Sequence, residues 1–378
     1  GLSLDLRGRE RWSPRKSERE PRTAPNRETV LKHSELSGSP HERTSNLEPF
    51  PEVDNVCAIT IDLPGFSDLI TANVYAVGSG SLTLIDAAPK FPGAFEILKG
   101  QLEQAGRDLT DIERIIFTHG HVDHFGLAAR IREEVGRPVP CFVHAEDAWR
   151  VTAETYREEM FNEAGERLMA LVDMPPDEVA KIRERFSLFA MLCDPIFDVQ
   201  VMEDGDVFEG DDYRLEVIHT PGHTPGTCCL YETRQKILYS GDHIIKHITP
   251  NPLFELKKEI LRDPEYQSLK EYIRSLEKVK GIDARYVFPG HGAFVKDLPE
   301  LIDSSRGHHR ERMERIWGAL KKRSRPLYHI IDEVFDFVPE YDGFLAISEI
   351  MVHLELLIEE GRAELADPGP PSYYRAIG

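Results

Sequence analysis

A layered α/β fold is what the sequence predicts, and three observations carry it. Between residues 56 and 143, short apolar runs of strand length alternate with stretches of helical spacing. The strand pattern returns between residues 214 and 240 and again at 285–288. Four of these apolar runs stop abruptly at a histidine or aspartate beside a glycine. The densest case is Ile115-Ile116-Phe117-Thr118-His119-Gly120-His121-Val122-Asp123-His124, where a buried-type strand ends in three histidines and one aspartate. Imidazole and carboxylate suit zinc, iron and manganese.

Taken in order, Val56 to Leu63 and Ala72 to Val77 are rich in strand formers. Gly78-Ser79-Gly80-Ser81 is a hairpin turn, and Leu82 to Ile85 is the return strand, ending in Asp86-Ala87-Ala88-Pro89. Phe95 to Ala105 is helical by spacing. Arg114 to Thr118 is the strand that delivers the histidines, a helix follows from Phe125 to Val135, and Val139 to Val143 is a further strand. Residues 145 to about 198 break the rhythm. Two amphipathic patterns, Ala148 to Val172 and Pro176 to Leu192, are split at Asp173-Met174-Pro175-Pro176. They predict a helical insertion whose apolar face, Met160, Phe161, Leu168, Met169, Leu188, Phe189, Met191 and Leu192, packs on the core or walls a substrate site.

Strands resume at Arg214 to His219, Thr227 to Tyr231 and Ile237 to Ser240. The first two flank Thr220-Pro221-Gly222-His223-Thr224-Pro225-Gly226, a tight loop by its prolines and glycines. Gly241-Asp242-His243 follows the third. Pro264 to Lys280 is an amphipathic helix, and the strand Arg285 to Phe288 ends in Pro289-Gly290-His291-Gly292. Residues 301–378 are helical, with patterns at Arg306 to Lys322, Leu327 to Phe337 and Phe344 to Glu360, then a short strand. Residues 1–48 have no persistent period and hold ten Lys and Arg against eight Asp and Glu, so a disordered tail is expected there. The expected division is therefore tail 1–48, main domain 49–300 and C-terminal domain 301–378.

The net charge of −20 argues against a nucleic-acid-binding surface spread over the whole protein. Residues 306–325 carry eight Lys and Arg against two Asp and Glu, yet the helix at Phe344 to Glu360 has four glutamates and no Lys or Arg. That is a poor groove reader, so nucleic acid is the less favoured partner, and dimerisation or a pocket wall suits this region at least as well. Cys57, Cys141, Cys193, Cys228 and Cys229 are odd in number and lack CxxC spacing, as in a reduced, cytoplasmic protein. The pair Cys228-Cys229 is expected to place one thiol in the core and one at the surface of a strand. No apolar run reaches the length of a membrane span.

The candidate metal ligands are His119, His121, Asp123, His124, His223, Asp242 and His291. Seven are too many for one tetrahedral zinc and suit two ions, with Asp242 as the natural bridge because a carboxylate has two oxygens. His119 and His121 can serve one ion, and Asp123 and His124 a second. His219, His243 and His247 are expected as supporting or structural residues.

These residues resemble the metallo-β-lactamase superfamily, through Thr118 to His124, Pro221 to Gly226, Ser240 to His243 and Pro289 to Gly292. The resemblance covers about residues 53–300. It implies an αββα sandwich with metals at the edge of two sheets, interrupted by the helical insertion. It implies His119, His121 and His223 on one ion, Asp123, His124 and His291 on the other, Asp242 between them, and Asp86 hydrogen-bonded to a ligand. The C-terminal part is similar to a small winged-helix module carried by some relatives. The expected cofactor is two divalent ions, zinc first, with iron or manganese as alternatives. The expected activity is hydrolysis of a small ester, thioester or lactone by a hydroxide held between the ions, with Asp123 as catalytic residue orienting it or moving its proton. The alternatives are an endoribonuclease and a mononuclear-iron persulfide dioxygenase on the same scaffold.

Overall fold

The computed structural model describes residues 48–63, 69–152, 163–256, 261–263 and 265–378. The expected tail, apart from Glu48, lies outside the described residues, as do Met160, Phe161 and Pro264. Two sheets form. The first contains β1 (Val56–Asp62), β2 (Thr71–Val77), β3 (Leu82–Ile85), β4 (Ile112–Ile116), β5 (Cys141–His144) and β6 (Gln200–Met202), in that spatial order. The second runs β11 (Tyr286–Pro289), β10 (Ile237–Gly241), β9 (Cys228–Glu232), β8 (Arg214–His219), β7 (Val207–Glu209).

Strands β3, β4, β5 and β6 pair parallel. In the second sheet β9 is antiparallel to both β8 and β10, and β11 is parallel to β10. Strands β8, β10 and β11 therefore all run in one direction. Each set of parallel strands brings its carboxyl ends to one edge, which is where the sequence places its polar residues.

Burial follows the layers. Tyr75, Ile85, Ile116, Val217, Leu230, Tyr239 and Phe288 fill the space between the sheets. Helices α1 (Ala94–Gln104) and α3 (Ala128–Val135) cover the outer face of the first sheet through Leu98, Leu102 and Ile131. Helix α7 (Ser268–Lys280) covers the second through Leu276 and Val279. The order helix, sheet, sheet, helix is the expected sandwich. The Cys228-Cys229 expectation needs correction. Both thiols are buried, Cys228 between the sheets and Cys229 under α7, because both faces of this sheet are covered. Burial pushes the Cys229 thiol up to about 12.

The helix expected from Phe125 to Val135 is divided into α2 (Val122–Phe125) and α3. Gly126 lies at the break, packed so closely that a Cβ would fall 2.2 Å from the Leu192 carbonyl oxygen. Helices α4 (Ala148–Thr152), α5 (Glu163–Leu171) and α6 (Pro176–Phe189) make up the described part of the insertion. The C-terminal region comprises α8 (Leu298–Lys322), a 3-10 turn (Leu327–Ile330), α9 (Ile331–Val334), α10 (Gly343–Glu359) and the hairpin β12 (Ala363–Asp367) and β13 (Tyr373–Ala376). Helix α8 starts earlier than its basic segment suggests, because the Asp297 carboxylate caps the Glu300 N–H and Pro299 suits the first turn.

The insertion and the C-terminal helices share one hydrophobic core. Leu168, Met169, Ile182 and Phe186 pack with Ile316, Leu320, Ile347 and Ile350. Ile350→Ala should therefore cost about 2–5 kcal/mol, the usual penalty for a buried aliphatic truncation, measured by urea unfolding.

Candidate metal centre

Each site residue stands just past the carboxyl end of a strand. Asp86 follows β3, residues 117–124 follow β4, the loop 220–227 follows β8, Asp242 follows β10, and Gly290-His291 follows β11. The loops are tied across the two sheets. The Cys228 N–H donates to the Thr118 carbonyl at 2.8 Å, and the Asn73 N–H to the Gly290 carbonyl at 2.8 Å. The Asn73 amide donates to the carbonyls of Pro289 and Gly292.

All seven expected ligands converge. His119 Nε2 lies 2.9 Å from His121 Nδ1, which lies 3.1 Å from His223 Nε2. On the other side, His124 Nε2 and His291 Nε2 are 3.2 Å apart, and His291 Nε2 is 3.4 Å from Asp123 Oδ2. Asp242 stands between the groups. Its Oδ1 is 3.2 Å from His291 Nε2 and 3.4 Å from His124 Nε2, while its Oδ2 is 3.6 Å from His223 Nε2. Ligand atoms about 2.0–2.1 Å from a tetrahedral ion sit roughly 3.3 Å apart, so these separations suit coordination. Among the described residues, His291 and His124 approach buried Asp242 Oδ1 without reaching hydrogen-bonding geometry, as fits an oxygen whose partner is a cation.

The ring nitrogens that face away from the centre are anchored. His124 Nδ1 lies 2.8 Å from Asp86, His223 Nδ1 lies 2.9 Å from the Asn251 carbonyl, and His291 Nδ1 lies 2.7 Å from the Thr71 carbonyl. Such partners fix ring orientation and tautomer. Asp86 also accepts from the Thr118 N–H and hydroxyl.

Electrostatics divides the site. Burial, then the neighbouring imidazoles, holds His119 well below the usual histidine range, and burial with His223 and Arg150 does the same for His121. Burial also lowers His223. The neutral form, with a lone pair to give, is thus favoured at all three. Burial opposes charge on His124 and His291 too, but Asp86, Asp242 and Asp123 outweigh it at His124, and Asp242 and Asp123 at His291, so both rise. Burial alone would raise Asp242; His291 and His124 outweigh it and hold the carboxyl well below its usual range. Positive charge is thus favoured among the carboxylates, the environment a divalent ion requires.

Gly290 is required by packing. A Cβ there would fall 2.7 Å from both Asp242 Oδ1 and His124 Cε1. Gly290→Ala should weaken metal binding at least about tenfold, the scale for disturbed ligand orientation, measured by competition with a chelator.

The structure adds a residue that the sequence did not single out. Asp147, fully buried after β5, accepts from the N–H groups of Gly120 and Gly226, from the Thr224 hydroxyl and from Arg150. It pins the loops carrying His119, His121 and His223 to each other. Arg150 bridges on to buried Glu255 and lies over the Trp149 ring. The sequence signal was a carboxylate just after a strand end, without the glycine that marks the others. His219 stacks on His144 at 3.8 Å and bonds the Pro225 carbonyl, bracing the 221–226 loop. His243 is buried against Tyr272, and burial lowers it to about 3. His247 packs against Gly292.

His121, Asp123, His223 and Asp242 open into a cavity of about 740 Å³. No described helix is long and apolar enough to cross a membrane.

Comparison with known proteins agrees with this geometry. The family model of the metallo-beta-lactamase superfamily matches residues 68–291. A Bacillus subtilis (strain 168) protein named "Probable metallo-hydrolase YqjP" is 27% identical over 327 residues, covering 86% of this chain and 98% of its own. A crystal structure of a metallo-beta-lactamase family protein from Thermus thermophilus superposes with a TM-score of 0.71 at 26% identity, covering 86% of this chain and 99% of that one. The atrochrysone carboxyl ACP thioesterase of Aspergillus fumigatus is 21% identical over 284 residues, covering 74% of this chain and 70% of its own. Fold, converging histidines and aspartates, and family match agree: the chain belongs to the metallo-beta-lactamase superfamily and is a metallo-hydrolase.

Proposed function

We propose that the protein hydrolyses a thioester, ester or lactone at a two-ion centre. The observation that carries this reading is Asp242, which turns one oxygen to His124 and His291 and the other to His223. In this reading His119, His121 and His223 hold one ion, and Asp123, His124 and His291 the other. The imidazole and carboxylate donors suit zinc first, and iron or manganese as well. Held there, such ions would bring the pKa of a bound water toward neutrality and would supply a Lewis acid for the carbonyl oxygen. Asp123, facing the cavity, orients the attacking water, takes its proton and returns it to the leaving thiol or alcohol. Asp86 and the carbonyls of Asn251 and Thr71 keep the ligand rings in place throughout.

Charge pairing disfavours RNA as substrate. In the basic segment, Arg306 pairs with Glu277, Arg312 with Glu349, Arg315 with Asp336, and Lys322 and Arg325 with Glu333. Cations engaged this way offer little to a phosphate backbone. The thioesterase among the relatives is consistent with an acyl substrate.

The test is metal analysis of the loaded protein followed by a panel of thioester, ester, lactone and single-stranded RNA, with oxygen uptake followed in parallel. Two ions with acyl hydrolysis are expected. RNA cleavage lost in His121→Ala would point to an endoribonuclease, and one iron with oxygen uptake on a persulfide to a dioxygenase.

A further inference from the structure

The 740 Å³ cavity extends from the metal centre between elements that the superfamily match does not all include. Its apolar walls come from Ile182 and Phe186 of α6, Ile245 and Phe254 of the segment after β10, and Phe344 and Leu345 at the start of α10. Among the described residues three arginines line it, and each is paired with a carboxylate that also lines it: Arg150 with Glu255, Arg185 with Asp342, and Arg312 with Glu349. These six charges cancel, and Lys246, the lysine in the lining, is solvent-exposed.

The wall is also built into the metal centre. The Asn251 amide donates to the Leu345 carbonyl at 2.9 Å, and the Asn251 carbonyl holds His223 Nδ1. The Phe254 N–H donates to the Ser348 hydroxyl at 2.7 Å. The start of α10 is thus fixed relative to a metal ligand, and the apolar wall stands at a set distance from the reacting centre.

We propose that this cavity binds the acyl group of the substrate, and that the group is uncharged, rich in hydrocarbon and longer than acetyl. The inference rests on the acyl-hydrolase reading. A polar, amide-bearing leaving group would lose hydrogen bonds with water against these walls, whereas a hydrocarbon chain gains from each methylene buried. Phe186, Phe344 and Leu345 then set the accepted length.

The test uses the full, zinc-loaded chain and thioesters of one small thiol, N-acetylcysteamine, with acetyl, butanoyl, hexanoyl, octanoyl and carboxylate-tipped adipoyl groups. The expected result is a kcat/KM that rises about three- to fivefold per methylene until the cavity is full, with adipoyl far below the neutral chain of equal length. Leu345→Trp should lower the ratio of octanoyl to acetyl kcat/KM at least about tenfold. A flat series, a preference for acetyl or a preference for adipoyl overturns the inference while leaving the hydrolase reading intact. If neither these thioesters nor the esters and lactones of the first panel are cleaved, that reading fails, and the cavity is judged by calorimetry with unreactive ketones. At least about tenfold tighter binding of 2-decanone than of 2-butanone supports an apolar-chain site, and equal affinity overturns it.

Discussion

Asp242→Ala is expected to lower kcat/KM for acyl hydrolysis by more than about 10³-fold, beyond the usual cost of losing one preorganised electrostatic partner. The two oxygens of Asp242 face opposite halves of the centre, so no other described side chain can replace it. Metal analysis of the variant should show loss of at least one ion. The metal-free protein gives an independent readout. His124 and His291 have raised pKa values when folded, so their contribution to stability is full below about pH 6.5 and fades as pH rises through the raised values. Asp242 has a lowered value, so its contribution is present above about pH 4 and is lost as pH falls through that lowered value. Urea unfolding of chelator-treated Asp242→Ala should therefore show a shallower decline above pH 6.5 than the parent. An unchanged profile would mean that the carboxylate does not couple to these histidines.

Asp147→Ala is expected to cost about 3–5 kcal/mol of folding stability, the penalty for removing one partner of a buried ion pair. It leaves the Arg150 guanidinium with Glu255, and leaves the Gly120 and Gly226 N–H groups without their acceptor. Urea unfolding with chelator present separates this effect from metal loss. A cost below about 1 kcal/mol, the scale of a surface pair, would contradict the buried network. With metal restored, the ion near His119, His121 and His223 should exchange faster than the other, because Asp147 ties those loops.

The candidate site was legible because its signals are local. A strand that ends in glycine and histidine puts the imidazole at a sheet edge whatever the rest of the chain does, and this holds at His119, His223 and His291. Asp86 also follows a strand end, but no glycine marks it, and it was readable through the family resemblance. Asp147 was not, because its partners are backbone groups 27 and 79 residues away and no glycine marks it. The fold shows the same division. Strands β2, β3 and β10 stand out in the sequence because most of their residues are apolar, and β8 because Leu215 and Val217 alternate with Arg214 and Glu216. Strands β6 and β7 have three residues each, two of them exposed, and leave little pattern. Periodicity placed Leu168 and Met169 on the apolar face of the insertion, but also Leu188 and Met191, which are exposed, and it missed Ile182 and Phe186, which meet Ile347 and Ile350, since periodicity does not encode a partner.

Anomalous diffraction from zinc-loaded crystals decides whether Asp242 spans a two-ion centre. Two peaks are expected roughly 3.5–4 Å apart, one beside His119, His121 and His223, the other beside Asp123, His124 and His291, both within reach of Asp242. A single peak, or two peaks that Asp242 does not join, would contradict this arrangement.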